Sequence, residues 1–287
     1  SNSRALTRYT FHPGQPVSRA VISPNGRHIA FLSGGSERSL WVQDLEQEEP
    51  HEVPSGAGAY APFWSPDSRQ IGFYSTRRQA LLRATVEGGA PLEICKMPQV
   101  FSAAWRPDGK TVVFSSGSSY SRSALYQVPV EGGAPELLLE IKDASLVDLV
   151  FLPLPPGRNA LVARKLETDE SEKLILYDFE AGAPVPLPLE EFAQHGPGFS
   201  RVAPDQPVLA CTAGPNEGIE LRGLLQRRKR VLQGHSTQVQ ALEFSPDGEY
   251  LATGDLEGVL RLWSVREATR RVARAQDDDR MGPPRPV

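Results

Sequence analysis

A turn phrase built on Pro-Asp-Gly recurs along the chain at nearly constant spacing. It reads Ser23-Pro24-Asn25-Gly26, Ser65-Pro66-Asp67-Ser68, Arg106-Pro107-Asp108-Gly109 and Ser245-Pro246-Asp247-Gly248. Worn copies stand at Leu154-Pro155-Pro156-Gly157 and Ala203-Pro204-Asp205-Gln206. Pro24, Pro66 and Pro107 lie 42 and 41 residues apart, and Pro204 and Pro246 again 42. A fixed period of this size makes each period one supersecondary unit that buries its apolar surface only by stacking on its neighbours. Residues that repeat in this way build scaffold rather than chemistry, which weighs against an enzyme.

Within one period the strands can be read directly. Tyr60-Ala61-Pro62-Phe63-Trp64 ends in a bulky aromatic, and the turn follows. Ile71-Gly72-Phe73-Tyr74 then puts Ile71 and Phe73 on one face with a small residue between them. Leu81–Val86 is a third strand, Glu87-Gly88-Gly89-Ala90-Pro91 turns the chain, and Leu92–Cys95 is a fourth. In the turn, proline presets φ near −65°, Asp or Asn bonds its own backbone, and glycine supplies the positive φ; Ser68 and Gln206, standing where glycine belongs, predict looser turns. The other copies supply second strands at His28–Ser33, Thr111–Ser116, Asn159–Arg164, Val208–Thr212 and Tyr250–Thr253. Their third strands are Leu40–Leu45, Ala124–Val130, Lys173–Phe179, Ile219–Leu224 and Val259–Val265. Short strands at even spacing joined by tight turns make antiparallel meanders, and thin sheets of this kind pack face to face around an axis. The expected fold is all-β, a six-bladed β-propeller of four-stranded antiparallel blades closed by the N-terminal strand. The blades fall near 16–55, 56–97, 98–141, 142–190, 191–233 and 234–275, in a single domain over 1–275. Residues 4–10 are expected to complete the last blade, with 276–287 a flexible tail.

Bulk composition narrows the partners. The net charge of −4, from 31 basic and 35 acidic side chains, gives no global attraction to nucleic acid or membrane. No apolar run approaches the roughly 20 residues of a membrane helix, and the N-terminus lacks the pattern of a signal peptide. A chain starting at Ser1 points to a processed or excised domain. Cys95 and Cys211 are the two cysteines, each in an apolar run without metal or redox spacing, so buried free thiols are expected. With no Asn-x-Ser/Thr acceptor site either, the reading is a reducing, cytoplasmic compartment. A piece of a longer exported chain would instead be periplasmic or extracytoplasmic.

The units resemble the WD40-like repeats of TolB-type β-propellers, with a W-S-P-D-G-like phrase before an I-A-F-like strand. Trp64-Ser65-Pro66-Asp67 with Ile71-Gly72-Phe73, and Trp105-Arg106-Pro107-Asp108-Gly109 with Val112-Val113-Phe114, carry the likeness. The sixth unit is similar to a true WD40 repeat: Gly234-His235, then Phe244-Ser245-Pro246-Asp247-Gly248, then Leu262-Trp263-Ser264. The resemblance implies a binding platform, of a kind often joined in bacteria to signalling modules such as serine/threonine kinases or nucleotide-dependent switches.

Several local patterns imitate chemistry. Gly109-Lys110-Thr111 lacks the glycine of a phosphate loop, since Ala104 stands there, and a strand follows where that loop needs a helix. Gly234-His235-Ser236-Thr237-Gln238 lacks the closing glycine of a nucleophile elbow; His235 is expected to order its own loop by hydrogen bonding. His12, His28, His51, His195 and His235 are scattered, and the inner strands Val17–Ile22, Ala59–Trp64, Phe101–Trp105 and Val147–Leu152 offer almost no inward carboxylate or imidazole. Neither a metal nor another cofactor is expected. Trp41, Trp64, Trp105 and Trp263 fall at repeat-equivalent strand positions and read as packing between blades.

The loops joining second and third strands are the informative ones. In a propeller they emerge on one face beside the connections between blades. They read Ser33–Arg38, Ser75–Arg78, Ser115–Ser123 and Arg164-Lys165. Arg38, Arg77, Arg78, Arg122 and Arg164 are therefore expected to converge from four blades, with Tyr60 and Tyr120 nearby. Blades five and six present Asn216, Glu217, Asp255 and Glu257 there instead. Arginine with tyrosine is a hot-spot composition, and an arginine cluster suits carboxylate or phosphate partners; ordinary solvated loop charge is the alternative. The basic run Arg227-Arg228-Lys229-Arg230 reads as solvated charge in a turn before a fourth strand rather than a nucleic-acid patch. The expected function is non-enzymatic: a protein- or peptide-binding sensor or scaffold module, fused to another domain in a larger bacterial signalling protein. The alternatives are a propeller gating or regulating a hydrolase or peptidase, and an enzyme with a site in the axial channel.

Overall fold

A computed structural model describes residues 17–34, 37–47, 49–54, 56–119, 122–154, 158–167, 172–185, 200–203, 208–212, 218–223, 229–245 and 247–265. The expected closing strand over 4–10 and the tail over 276–287 lie outside these. Blade 1 is β1 (Val17–Ile22), β2 (His28–Ser33), β3 (Ser39–Asp44) and β4 (His51–Glu52); blade 2 is β5 (Ala59–Trp64), β6 (Gln70–Ser75), β7 (Ala80–Thr85) and β8 (Leu92–Lys96). Blade 3 is β9 (Ser102–Trp105), β10 (Thr111–Ser119), β11 (Arg122–Pro129) and β12 (Glu136–Lys142); blade 4 is β13 (Ala144–Leu154), β14 (Arg158–Glu167), β15 (Glu172–Asp178) and β16 (Ala183–Val185). Blade 5 is β17 (Ser200–Val202), β18 (Val208–Thr212), β19 (Ile219–Gly223) and β20 (Lys229–Leu232); blade 6 is β21 (Val239–Phe244), β22 (Tyr250–Asp255) and β23 (Leu260–Ser264). Each sheet is a meander with strands in chain order, four-stranded in the first five blades and three-stranded, among the described residues, in the last. The fold class is the six-bladed β-propeller read from the repeat. By backbone contacts the chain divides into two compact units, Ser1–Leu149 with Lys165–Thr168, and Val150–Arg164 with Asp169–Val287.

Strand alternation sends neighbouring side chains of one blade into two different cores. In the first unit Ile71, Phe73 and Leu82 of blade 2 pack with Leu32, Leu40, Val42 and Val53 of blade 1. Tyr74 and Leu81, one step along the same strands, pack with Trp105, Val112, Phe114 and Val128 of blade 3. Gly72 belongs to this second face: a Cβ there would run into the ring of Phe63, so the small residue between Ile71 and Phe73 makes room for an aromatic. In the second unit Leu152, Ala160, Val162 and Leu176 pack with Leu209 and Cys211. A separate cluster joins Ala210, Ile219 and Leu221 to Leu242, Phe244 and Leu251. Two of the tryptophans end inner strands, and the other two lie in third strands. Trp64 donates to the Val21 carbonyl of blade 1 at 3.0 Å, whereas Trp105 donates to Gly109 of its own turn at 3.0 Å.

The recurring phrase is a closed hydrogen-bond circuit in which serine has a part. Ser65 Oγ donates to Asp67 Oδ1 at 2.6 Å and accepts from Gln70 N at 2.9 Å, while Asp67 Oδ1 accepts from Arg69 N at 3.0 Å. Ser23 with Asn25, and Ser245 with Asp247, repeat the pattern. The hydroxyl bond, with the Arg69 amide behind it, holds the Asp67 carboxyl below its ordinary range. Ser68, at φ +62°, takes the conformation that Gly26, Gly109 and Gly248 take in the other clear copies. The turn is not looser for it. Ser68 is buried, and its Oγ accepts the Asn25 N–H of blade 1 at 3.0 Å, tying adjacent blades together. Ser68→Ala keeps the left-handed strain and loses that acceptor, so it should cost about 1–2 kcal/mol in urea unfolding. Ser68→Gly also loses the bond but relieves strain of about 1 kcal/mol, and should fall between alanine and wild type. An alanine variant as stable as wild type would contradict this role.

Candidate docking face

Opposite the Pro-Asp-Gly turns, blades 1 and 2 present the loops between their second and third strands. Those loops are fastened to the connections between blades. Ala59 N donates to Arg38 O at 3.1 Å, Thr76 N and Oγ1 donate to Gly58 O at 2.9 and 3.0 Å, and Met97 N donates to Gln79 O at 2.9 Å. The backbone therefore fixes where Arg38, Arg77 and Arg78 leave the surface. Arg77 forms an ion pair with Glu37 of the preceding blade, both side chains more than half exposed. Arg122 bonds Glu140 through Nε and Nη2 at 3.0 and 2.6 Å. Tyr60 is half-buried beneath Arg19, whose guanidinium lies 5.0 Å from the ring centroid and donates to Oη at 3.3 Å. Arg38 and Arg78 are exposed, and among the described residues neither has an ion pair. Exposed pairs of this kind contribute about 0–1 kcal/mol, so the backbone bonds and not the ion pairs hold the face.

The structure corrects part of the expected set. Residues 115–119 and 122–123 of the segment expected as a loop belong to β10 and β11, which pair Ser115 with Leu125, Ser116 with Ala124 and Gly117 with Ser123. Gly117 permits the approach, since a Cβ there would overlap the Arg122 carbonyl. Arg122 is consequently a strand residue opposite Lys142. Arg164 is a half-buried residue of β14 in the second unit rather than a loop residue. Tyr120 lies outside the described residues, as do Asn216 and Glu217. Lys229 and Arg230 of the basic run belong to β20, paired with Arg222 and Leu221, rather than to a turn.

Arg19 is the site residue that the sequence reading missed, and a signal for it existed. Arg19 and Tyr60 are 41 residues apart and Glu37 and Arg77 are 40 apart, as Trp64 and Val21 are 43. Residues about one repeat apart meet across neighbouring blades, so complementary side chains could have been sought at that separation.

The last blade holds a buried network instead of a presented acid. His235 Nδ1 lies 2.7 Å from Asp255 Oδ2, His235 Nε2 lies 2.7 Å from Thr253 Oγ1, and Trp263 Nε1 donates to Thr253 Oγ1 at 2.9 Å. One assignment satisfies every group: Trp263 N–H to Thr253, Thr253 O–H to His235 Nε2, and His235 Nδ1–H to Asp255. The histidine bond is the main cause holding the Asp255 carboxyl below its ordinary range. Asp255 is therefore not on the open face as expected; its side chain is 0% exposed and that of His235 2%. His235 does order its own surroundings, as its sequence context predicted. The Thr–His–Asp order imitates a hydrolase triad, but Thr253 is buried and its oxygen already accepts from Trp263, so a substrate carbonyl has no approach to it. The thiols are equally unreactive. Burial pushes Cys95 up to about 11 and Cys211 up to about 12, leaving both protonated at neutral pH.

Residues 226–264 match the WD domain, G-beta repeat family. The matched repeat runs from β20 of blade 5 through the three described strands of blade 6. The match falls on the blade whose Gly234-His235 and Leu262-Trp263 carried that likeness, while the TolB-type likeness of blades 2 and 3 rests on their own residues. The serine-threonine kinase receptor-associated protein of Gallus gallus is 25% identical over 242 residues, covering 82% of this chain and 51% of that protein. The chain thus spans about half the length of this curated relative. Among solved structures, Kuenenia stuttgartiensis hydrazine synthase aligns with a TM-score of 0.63 at 15% identity, over 85% of this chain and 82% of that one. A chain of the mitotic checkpoint complex aligns with a TM-score of 0.61 at 15% identity, over 88% and 76%. At such identities the structures establish the propeller fold alone. WD40 propellers are in general protein-interaction scaffolds.

Proposed function

We propose that the protein is a non-catalytic propeller that docks an acidic protein segment on the loop face of blades 1 and 2, as a sensor or scaffold module of a larger cytoplasmic signalling protein. The observation that carries this reading is the cationic set itself. Arg38 and Arg78 stand exposed on loops whose backbone bonds the connection Gly58-Ala59 leading into Tyr60, and Arg19 stacks on that tyrosine. A rigid platform with arginine over tyrosine offers charge, planar hydrogen bonding and apolar area together. The name of the Gallus gallus relative, a receptor-associated protein, is in keeping with a role in protein assembly.

The test uses a fluorescent oligoglutamate peptide as probe. Wild type should bind it in a salt-sensitive manner, because exposed charges are screened beyond roughly 8 Å at physiological ionic strength. Replacing both Arg38 and Arg78 by Glu should weaken binding about tenfold or more, while stability stays within about 0.5 kcal/mol, as for other surface changes. A wild-type protein that ignores the peptide, or a double variant with unchanged affinity, would reject the reading.

A further inference from the structure

Resting on that docking reading, we infer that Glu37 is a built-in competitor: it occupies on Arg77 the place that a partner's carboxylate takes, so the face selects segments carrying several acids. Glu37 belongs to blade 1 and Arg77 to blade 2, and the pair bridges the two loops with side-chain exposures of 60% and 55%. An incoming carboxylate is chemically the same group as the one it displaces. Exchange at Arg77 alone therefore gains little, because one exposed ion pair replaces another. The net gain comes from further acids that reach cations without a partner of their own among the described residues, Arg78 on the same loop and Arg38 beside Glu37. A partner with one carboxylate gains a single exposed contact, at Arg38 or Arg78, and leaves the pair closed. A partner with two or more can open it and keep a surplus.

The pair is also built to open without cost to the fold. Glu37 is followed by Arg38, whose carbonyl anchors Ala59, and Arg77 by Arg78, whose carbonyl accepts from Lys96 Nζ at 3.2 Å. The backbone that follows each charged residue is thus held by bonds that do not involve the two charged groups. Side-chain rotation suffices to release them. The Arg122–Glu140 pair differs, because both partners lie on adjacent paired strands of one blade.

Oligoglutamate titrations of wild type, Glu37→Gln, Arg77→Gln and the double variant test the inference. Glu46→Gln serves as control, since Glu46 is an exposed acid in the turn after β3, at the other end of blade 1, and removes the same charge. Glu37→Gln should tighten binding about two- to fivefold, the range set by the worth of an exposed pair. The gain should vanish in the Arg77→Gln background, and Glu46→Gln should stay within about 1.5-fold of wild type, since screening confines the effect to near charges. If wild type binds and Arg38→Glu with Arg78→Glu weakens it, but Glu37→Gln does not tighten binding or its gain survives without Arg77, the competitor role is wrong and the docking face stands. If wild type does not bind oligoglutamate at all, both fall.

Discussion

Phe73→Ala is expected to destabilise the protein by about 3–5 kcal/mol. Phe73 is fully buried on the central strand β6, where its ring is packed with Leu32, Leu40 and Val42 of blade 1 and Trp64 and Leu82 of its own blade. Its neighbours in the ladder, Leu82 among them, are held on both sides by paired strands, so the surroundings cannot collapse into the vacated volume. The loss therefore combines the transfer of the ring with the cavity left behind. Leu92→Ala is the matched control: Leu92 is 56% exposed on the outer strand β8, and its truncation should cost less than about 0.5 kcal/mol. Urea unfolding with an unchanged slope reads both. A Phe73→Ala variant within 1 kcal/mol of wild type would show that the apolar seam between blades 1 and 2 is not what stabilises them.

Thr253→Val is the second large effect, expected at about 2–4 kcal/mol, because it removes a single oxygen on which two other groups depend. Valine nearly matches threonine in shape and suits a strand, so packing changes little. What is lost is the acceptor for Trp263 Nε1 and the donor to His235 Nε2, both within a covered network. Each buried group left without a partner costs about 1–3 kcal/mol. Thr253→Ser keeps the hydroxyl and should lose about 1 kcal/mol or less. Equal stability of the valine and serine variants would mean that the network is incidental to the WD40 blade.

The repeat phrase exposed the architecture because each of its residues has a local task. The bounds of β2, β5 and β18 follow from alternation between turn signals. Ser115–Ser123 was misread for the opposite reason. Its serines and glycine look like a loop, whereas the pairing of Gly117 with Ser123 depends on a close backbone approach that only the absence of a side chain allows. Asp255 was placed on the open face because its partner, His235, lies 20 residues upstream, across a strand and a turn. Arg38, Arg77 and Arg78 were found by position in the repeat, but the pairing of Arg77 was decided by Glu37, one period away, and Arg19 was missed because its partner, Tyr60, is also one period away. Position along a blade was legible locally. Partnership across blades was not, because it is a property of the stack.

Hydrogen exchange of the full chain, with and without saturating oligoglutamate, tests the central claim most directly. Binding at the loop face should slow exchange at the backbone amides of Arg38, Ser39 and Thr76 to Gln79, and leave the turns at Asn25, Asp67 and Asp108 unchanged. Protection at the Pro-Asp-Gly turns, or no protection anywhere, would contradict it.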